Sequence, residues 1–397
     1  MNAGGALAGV RVIDLSRVLA GPLCTQTLGD LGADVIKVER PGEGDDTRNW
    51  GPPYAGPLSA YFIGVNRNKR SVTLDLSGPE GREVLERMIR SGDVLVDNFK
   101  QGTLEKWGFD EGWFAANAPG VVRCSITGYG SSGPKAEFPG YDFILQAETG
   151  LMAITGEAEG MSMKLGVAIV DICTGMQATI AILAALGARH RTGLGQRCEV
   201  NLHDTGLHLL ANVASNYLVS GEEPGRYGNG HPNIVPYRTY RAADGELALA
   251  VGNDRQFAVL AAELGHRDWS DDPRFATNPE RVRNRDLVDV MVGEVIVTRS
   301  RGDWIEVFDA AGIPSGPINQ VSEALTSPQA LAREMVVELD HSAAGAVKTV
   351  GLPIEMSATP ASIRLEPPAL GADTDAVLGE LGYTPVEIAA LREAGAA

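Results

Sequence analysis

Residues 10–39 read VRVIDLSRVLAGPLCTQTLGDLGADVIKVE. Apolar Val10–Leu15 predicts a strand. A Gly21-Pro22 turn then opens a helix through Leu31, Gly32 closes it, and Asp34–Glu39 predicts a second strand. Two strands joined through a helix run parallel, because a short turn cannot return the chain in that sense. The same alternation continues outward. Ser71–Leu76 reads as a strand, Pro79–Arg90 as a helix with proline at its first turn, and Val94–Asn98 and Val121–Ile126 as further strands. The expected class is therefore α/β, with a Rossmann-like parallel sheet covered by helices on both faces. Neither GxGxxG nor GxxxxGK[ST] occurs, so this architecture lacks the glycine signatures of dinucleotide and P-loop sites.

Further along, Asp171–Arg189 predicts a long helix rich in Ala, Ile and Leu, ending at His190-Arg191 and Gly193. Arg197–Leu202 reads as a strand and His203–Val219 as a helix. Residues 220–236 contain GEEPGRYGNGHPNIVP, a linker or binding loop. The pattern then changes to a hairpin, Thr239–Arg241 and Leu247–Val251 around Asp244-Gly245, followed by helices near Gln256–Glu263, Arg285–Val297 and Asp303–Ala310. A chain of 397 residues exceeds one small core. We expect a large domain from residues 1–220 and 326–397, and a smaller α+β domain over 221–325.

Composition narrows the function. The net charge is −17, which disfavours nucleic acid and anionic membranes as partners. The charge is uneven: residues 1–110 hold 13 basic and 15 acidic residues, and the remainder holds 21 and 36. An anionic ligand is expected to choose the first part, against the alternative of ordinary fluctuation in a long chain. Cys24, Cys124, Cys173 and Cys198 are scattered, which argues against a disulfide framework or a zinc site and fits a reducing, cytoplasmic setting. Met1–Gly9 shows no basic start followed by an apolar run, and the most apolar run, Thr179–Ala188, is too short to span a bilayer.

Ligands of open parallel sheets gather at the carboxyl ends of the strands. Arg40, Asn98, and Gly128 with Tyr129 stand there. Arg40 suits a phosphate, or else an ordinary surface ion pair. Asp171 directly precedes an apolar helix. Spacing alone reads it as an N-cap, and the positive helix end would keep it ionised near neutral pH. An ionised carboxylate in an apolar pocket is also a competent acyl nucleophile.

A resemblance sharpens this. The stretches DLSRVLAGPLCTQTLGDLGADVIKVERPGEGD (14–45), NRNKRSVTLDL (66–76), GPKAEFPGYDFILQAETGLM (133–152), GVAIVDICTGMQATIAILAAL (166–186), GNGHPNIVPYRTY (228–240) and GIPSGPIN (312–319) together resemble the class III CoA-transferase family, in the family's order. The resemblance implies that Asp171 is a covalent nucleophile. It implies that coenzyme A, arriving as an acyl-CoA substrate with no metal required, contacts Val18, Ala20, Arg40, Leu74, Asn98, Lys106, Tyr141 and Asp142. It also implies an interlocked homodimer. Leu19, Pro139 and the 228–232 loop depart from the formyl-CoA:oxalate pattern, and the GNGHPNIVPY loop resembles that of succinyl-CoA-using dicarboxylate enzymes, which implies a short dicarboxylate taken from succinyl-CoA or a similar donor. Arg17, Gly230, His231 and Asn233 are the candidates for holding that acid, and backbone N–H groups from Gly228 to Gly230 the candidates for stabilising oxyanions. The alternatives are an α-methylacyl-CoA racemase, which resembles this chain but carries His where Tyr141 stands, and a non-catalytic CoA-binding protein.

Overall fold

The computed structural model describes residues 4–397, so the first three residues of the Met1–Gly9 stretch lie outside it. Six strands form one sheet: β1 (Arg11–Asp14), β2 (Asp34–Glu39), β3 (Lys69–Thr73), β4 (Val94–Asp97), β5 (Val122–Thr127) and β6 (Arg197–Asn201). Every neighbouring pair is parallel and the spatial order is β3-β2-β1-β4-β5-β6. This is the doubly wound order in which the chain reverses direction between β1 and β4.

Four helices matter for the site: α1 (Ala20–Asp30), α2 (Pro79–Ser91), α3 (Asp142–Glu148) and α4 (Ile169–Thr192). In α2 the residues Val84, Leu85, Met88 and Ile89 face the core. Its opposite face carries the Glu83–Arg87 and Glu86–Arg90 pairs one turn apart. Helix α4 is longer than the ten-residue apolar run suggests. It is the one helix among the described residues long and apolar enough to cross a membrane. It packs on α1, β5 and β6, as the core helix of a sheet protein does.

The chain divides into two compact units. The first comprises the chain up to Thr149, Gly166–Leu209 and Pro328–Ala397; the second comprises Gly150–Leu165 and Leu210–Ser327. The helix expected over 203–219 is two helices, Leu202–Leu209 and Ala211–Ser220, broken where Ala211 adopts φ 45°. The first unit is closed by its C-terminal segment. Val377, Leu378, Tyr383 and Ile388 join the core formed by β1–β4 and α2. The backbone of Ser71 also exchanges hydrogen bonds with Asp373, Ser71 N–H donating to its carboxylate (2.8 Å) and Asp373 N–H to Ser71 carbonyl (2.9 Å). In the second unit, β7 (Tyr237–Arg241), β8 (Glu246–Ala250) and β9 (Ser315–Pro317) form an antiparallel sheet with β8 central. Phe257, Leu260, Val292, Trp304 and Phe308 from the accompanying helices pack into its core.

Candidate functional site

Strands β1 and β4 part company at their carboxyl ends, and a crevice opens where two adjacent strands send their chains opposite ways. A cavity of about 390 Å³ lies there. Arg17–Ala20 after β1, Asn98–Gln101 after β4, Gly128 after β5, the 136–141 loop and Asp171 line it. Gly128 and Gly140 touch backbone to backbone; a Cβ on Gly140 would sit 2.3 Å from the Gly128 Cα. Side chains are excluded at this contact, which closes the loop between them against the end of β5.

The loop after β1 is held on two sides. Arg17 N–H donates to Asn98 Oδ1 (3.0 Å), and Asn98 Nδ2 donates to the Arg17 carbonyl (2.7 Å), which ties the two switch-point strands together. Val18 has φ 74°, a rare conformation for a β-branched residue and a form of strain that persists only where its surroundings impose it. The imposing group is Asp45, which accepts from Val18 N–H at 3.3 Å. Asp45 also pairs with Lys37 Nζ at 2.8 Å, both side chains being fully buried, and Lys37 donates to the Ser16 carbonyl at 2.9 Å. A second buried pair, Lys69 with Asp14 at 3.2 Å, lies next to it, with Thr25 donating to Asp14 at 2.6 Å. Burial pushes the Asp45 carboxyl up, but Lys37 and the hydrogen bonds from Lys37 and Thr47 overcome it, leaving the carboxyl at about 2. Strand β3 begins at Lys69 rather than Ser71 because this buried, satisfied lysine hides from a search for apolar residues.

Asp171 is the third residue of α4, not its cap. The N-cap is Ala168, which has no side-chain acceptor. The helix's free N–H groups go to another residue: Asp142 Oδ1 accepts from Val170 N–H at 2.8 Å and Asp171 N–H at 3.3 Å. Asp171's own carboxylate has no hydrogen-bond or ion-pair partner among the described residues. Burial, and then the neighbouring Asp142 charge, push it up to about 7. The expectation that the helix end keeps it fully ionised is corrected accordingly, since the donors that would do so are already taken.

A stability prediction follows. A carboxyl whose folded value exceeds its unfolded value stabilises fully at low pH, and that contribution is lost as pH rises through the folded value. Asp171→Asn should therefore match the parent near pH 4 and exceed it above pH 7 by up to about 4 kcal/mol, at about 1.4 kcal/mol per pH unit. Denaturant melts at the two pH values check this; equal stability at both would show that the carboxyl is not raised.

Of the residues singled out in the sequence, Arg17, Val18, Ala20, Asn98, Tyr141 and Asp171 meet in this cavity. Arg40 lies exposed beyond β2, paired with Glu43 at 3.0 Å. Leu74 is buried just past β3, Asp142 is buried beside Tyr141, and Lys106 ends the short exposed helix Thr103–Lys106. Gly230, His231 and Asn233 belong to the second unit. There His231 Nδ1 accepts from Asn233 N–H at 3.0 Å, and burial followed by the Arg285 charge lowers the imidazole's pKa. Gly230 and Asn233 line a separate cavity of about 540 Å³ with Glu222, Glu223 and Asn216. The N–H groups of Gly228 and Gly230 donate to the carbonyls of Gly156 and Tyr227, so the oxyanion donors expected at these two glycines are already engaged.

One residue escaped sequence reading. Tyr61, on the short helix Ala60–Val65, has its hydroxyl pushed up to about 12 by burial and then by the charges of Asp171, Asp142 and Asp45. It stays protonated at neutral pH and stands in the field of Asp171. An aromatic within the apolar run AYFIGV gives no sign of this.

Comparison with known proteins follows the same lines. The model for CoA-transferase family III matches residues 7–374. The chain is 44% identical to a succinate–glutarate CoA-transferase of Agrobacterium fabrum over 94% of this chain and 95% of that protein. It is 39% identical to the human succinyl-CoA:glutarate CoA-transferase over 100% of this chain and 90% of that protein. A crystal structure of a CAIB/BAIF family protein from Brucella suis superposes with a TM-score of 0.83 at 44% identity, covering 95% of this chain and 100% of that one.

Proposed function

Because the chain belongs to CoA-transferase family III and is an enzyme of that type, we propose that it moves CoA from succinyl-CoA or a similar donor to a short dicarboxylate through covalent Asp171. The observation that carries this reading is the unpartnered Asp171 carboxylate in the cavity at the sheet's switch point.

In the first step an Asp171 oxygen attacks the thioester carbonyl. The C–S bond breaks, and CoA thiolate leaves a mixed anhydride. The thiolate attacks the Asp171 carbonyl, the anhydride C–O bond breaks, and the donor acid departs from an aspartyl-CoA thioester. The acceptor carboxylate then attacks this thioester and frees the thiolate again. Finally the thiolate attacks the acceptor's acyl carbon, releasing acyl-CoA and the Asp171 carboxylate. No net proton moves. Dividing one exchange into such steps lowers each barrier. A carboxylate without hydrogen-bond donors is a better nucleophile than a capped one, and the ionised share of Asp171 grows as pH rises through about 7.

In this reading the pantetheine arm runs past Val18, Ala20 and Asn98, with Leu74 beside its path. Arg40 and Lys106, both exposed, receive the CoA phosphates. Arg17 reads the acceptor's second carboxylate; its loose 3.4 Å contact with exposed Asp46 leaves it free to exchange partners. Supporting an interlocked homodimer, Met176, Ile180 and Leu183 expose an apolar stripe on one face of α4, and Phe143, Ile144 and Leu207 are exposed nearby in the chain's fold. Four free cysteines suit the cytoplasm.

A racemase reading has one observation on its side, an acid near neutrality at Asp171. It lacks a second base, since Tyr141 stands where that chemistry needs His. Incubation with succinyl-CoA and hydroxylamine, followed by peptide mass spectrometry, tests the covalent route. A hydroxamate on the Asp171 peptide is expected. An unmodified Asp171 across succinyl-, glutaryl- and acetyl-CoA, with substrate α-protons exchanging into deuterated water, would overturn it in favour of proton transfer.

A further inference from the structure

We propose that Asp142 is the positioning residue of the nucleophile: its carboxylate occupies the backbone N–H groups at the start of α4, leaving the Asp171 side chain to serve the cavity instead of folding back as a cap. The inference rests on the reading of Asp171 as nucleophile and adds how that residue is kept available.

The first turn of any α-helix presents N–H groups with no partner in the helix, and an aspartate in that turn ordinarily satisfies them. In α4 the cap position is Ala168, which offers no side-chain oxygen. Asp171 would therefore be drawn to those donors. Asp142, on α3, takes them first: its Oδ1 accepts from Val170 N–H at 2.8 Å and from Asp171 N–H at 3.3 Å. Its Oδ2 accepts from Gln146 Nε2 at 2.7 Å, one turn further along α3. The same amide nitrogen lies 3.4 Å from the Val167 carbonyl, just before α4. Gln146 is fully buried and Asp142 is 9% exposed, so the clamp lies inside the fold. Asp142 thus fixes the backbone of the nucleophile from a neighbouring helix while its negative charge turns the second carboxylate away.

The groups that act on Asp171 are few. Asp142 faces it from α3, and Tyr61 faces it from the helix Ala60–Val65. From α1 comes backbone, the Ala20 carbonyl packing where Gly175 leaves no room for a Cβ. Burial first, and then Asp142, raise the Asp171 carboxyl, as a like charge in a shared low-dielectric site does. Tyr141, next to Asp142, lines the cavity itself, which places the clamp directly behind the wall that substrate meets.

The test compares full-length Asp142→Ala and Asp142→Asn with the parent in two readouts. One is the single-turnover rate of Asp171 hydroxamate formation from succinyl-CoA as a function of pH. The other is the titration of the Asp171 carboxyl followed by ¹³C NMR, with calorimetric CoA binding as the check on the pocket. Asp142→Ala should slow labelling about 100-fold, the size of effect a misplacement of about 1 Å produces. It should also lower the titration midpoint from about 7 by the share that Asp142 adds to burial, with CoA still bound. Asp142→Asn keeps an acceptor oxygen without the charge, so its rate should fall by no more than about 10-fold while its midpoint still drops. It also serves should the Ala variant not fold. A purely structural role would lower thermal stability and leave the midpoint in place, and that result overturns the proposal. If the parent itself gives no Asp171 adduct, the covalent reading fails, and the NMR midpoint alone then decides the role of Asp142.

Discussion

Asp171→Ala should lose CoA transfer by at least about 10⁴-fold while still binding CoA. The size follows from the chemistry. Without this carboxylate no anhydride forms, and no other unpartnered carboxylate lines the cavity; Glu137, at its rim, lies 3.9 Å from Lys100. Binding should survive because the contacts proposed for CoA come from the segments that follow β1, β2, β3 and β4, none of which Asp171 holds. Two companions sharpen the result. Asp171→Asn keeps shape and volume but offers a poor nucleophile, so it should be as inactive as the Ala variant. Asp171→Glu moves the carboxylate by about one bond length and should retain a trace of activity, about 100-fold below the parent. Steady-state transfer from succinyl-CoA to glutarate, measured with calorimetric CoA binding, checks all three. Transfer in Asp171→Ala within about 10-fold of the parent would remove Asp171 from the mechanism.

Asp45→Ala should destabilise the protein by about 3–5 kcal/mol, the cost of leaving one charge of a buried pair uncompensated. Lys37 is fully buried, and burial would lower its pKa were it not for Asp45 first, then Asp14 and Glu39. Losing Asp45 removes the nearest of these charges and also the acceptor for Val18 N–H and for Thr47. Activity should fall together with stability, because Val18 then relaxes out of its strained conformation and the loop beside the cavity changes shape. The double variant Lys37→Met with Asp45→Leu is the informative control. It removes both charges and should recover most of the stability without recovering the Val18 geometry. Urea denaturation followed by circular dichroism measures the stabilities, and a single variant within about 1 kcal/mol of the parent would show that water or Asp14 compensates Lys37.

How much of this was readable beforehand depends on the physical signal involved. Strand Asp34–Glu39 and helix Pro79–Ser91 were visible because local periodicity and a proline at the first turn mark them. The parallel alternation also pointed to strand ends as the site, where Asn98 and Gly128 do lie. Residues whose roles come from distant partners were not readable. Lys37 and Lys69 look like surface lysines in sequence and are buried against Asp45 and Asp14. Asp142 looked like a substrate contact, and its bonds to Val170 and Asp171 cross 28 and 29 residues of chain. Val18 is among the residue types least expected at positive φ, so nothing local announces its conformation. The break at Ala211 likewise lies inside an unbroken helical pattern.

The discontinuous first unit has a consequence for synthesis. Five of the six sheet strands are encoded by residue 127, yet the residues that seal the β3 side, from Asp373 to Ile388, are made about 250 residues later. At the usual 5–20 residues per second, about 12–50 s pass between the emergence of Thr127 and that of Val377. Through that interval the nascent sheet carries a bare apolar flank and an edge strand with open backbone groups, the surfaces that holding chaperones recognise and that drive misassembly. A ribosome stalled or a message truncated before Asp373 would therefore release a chain with that flank of its sheet uncovered, a natural substrate for proteolytic clearance.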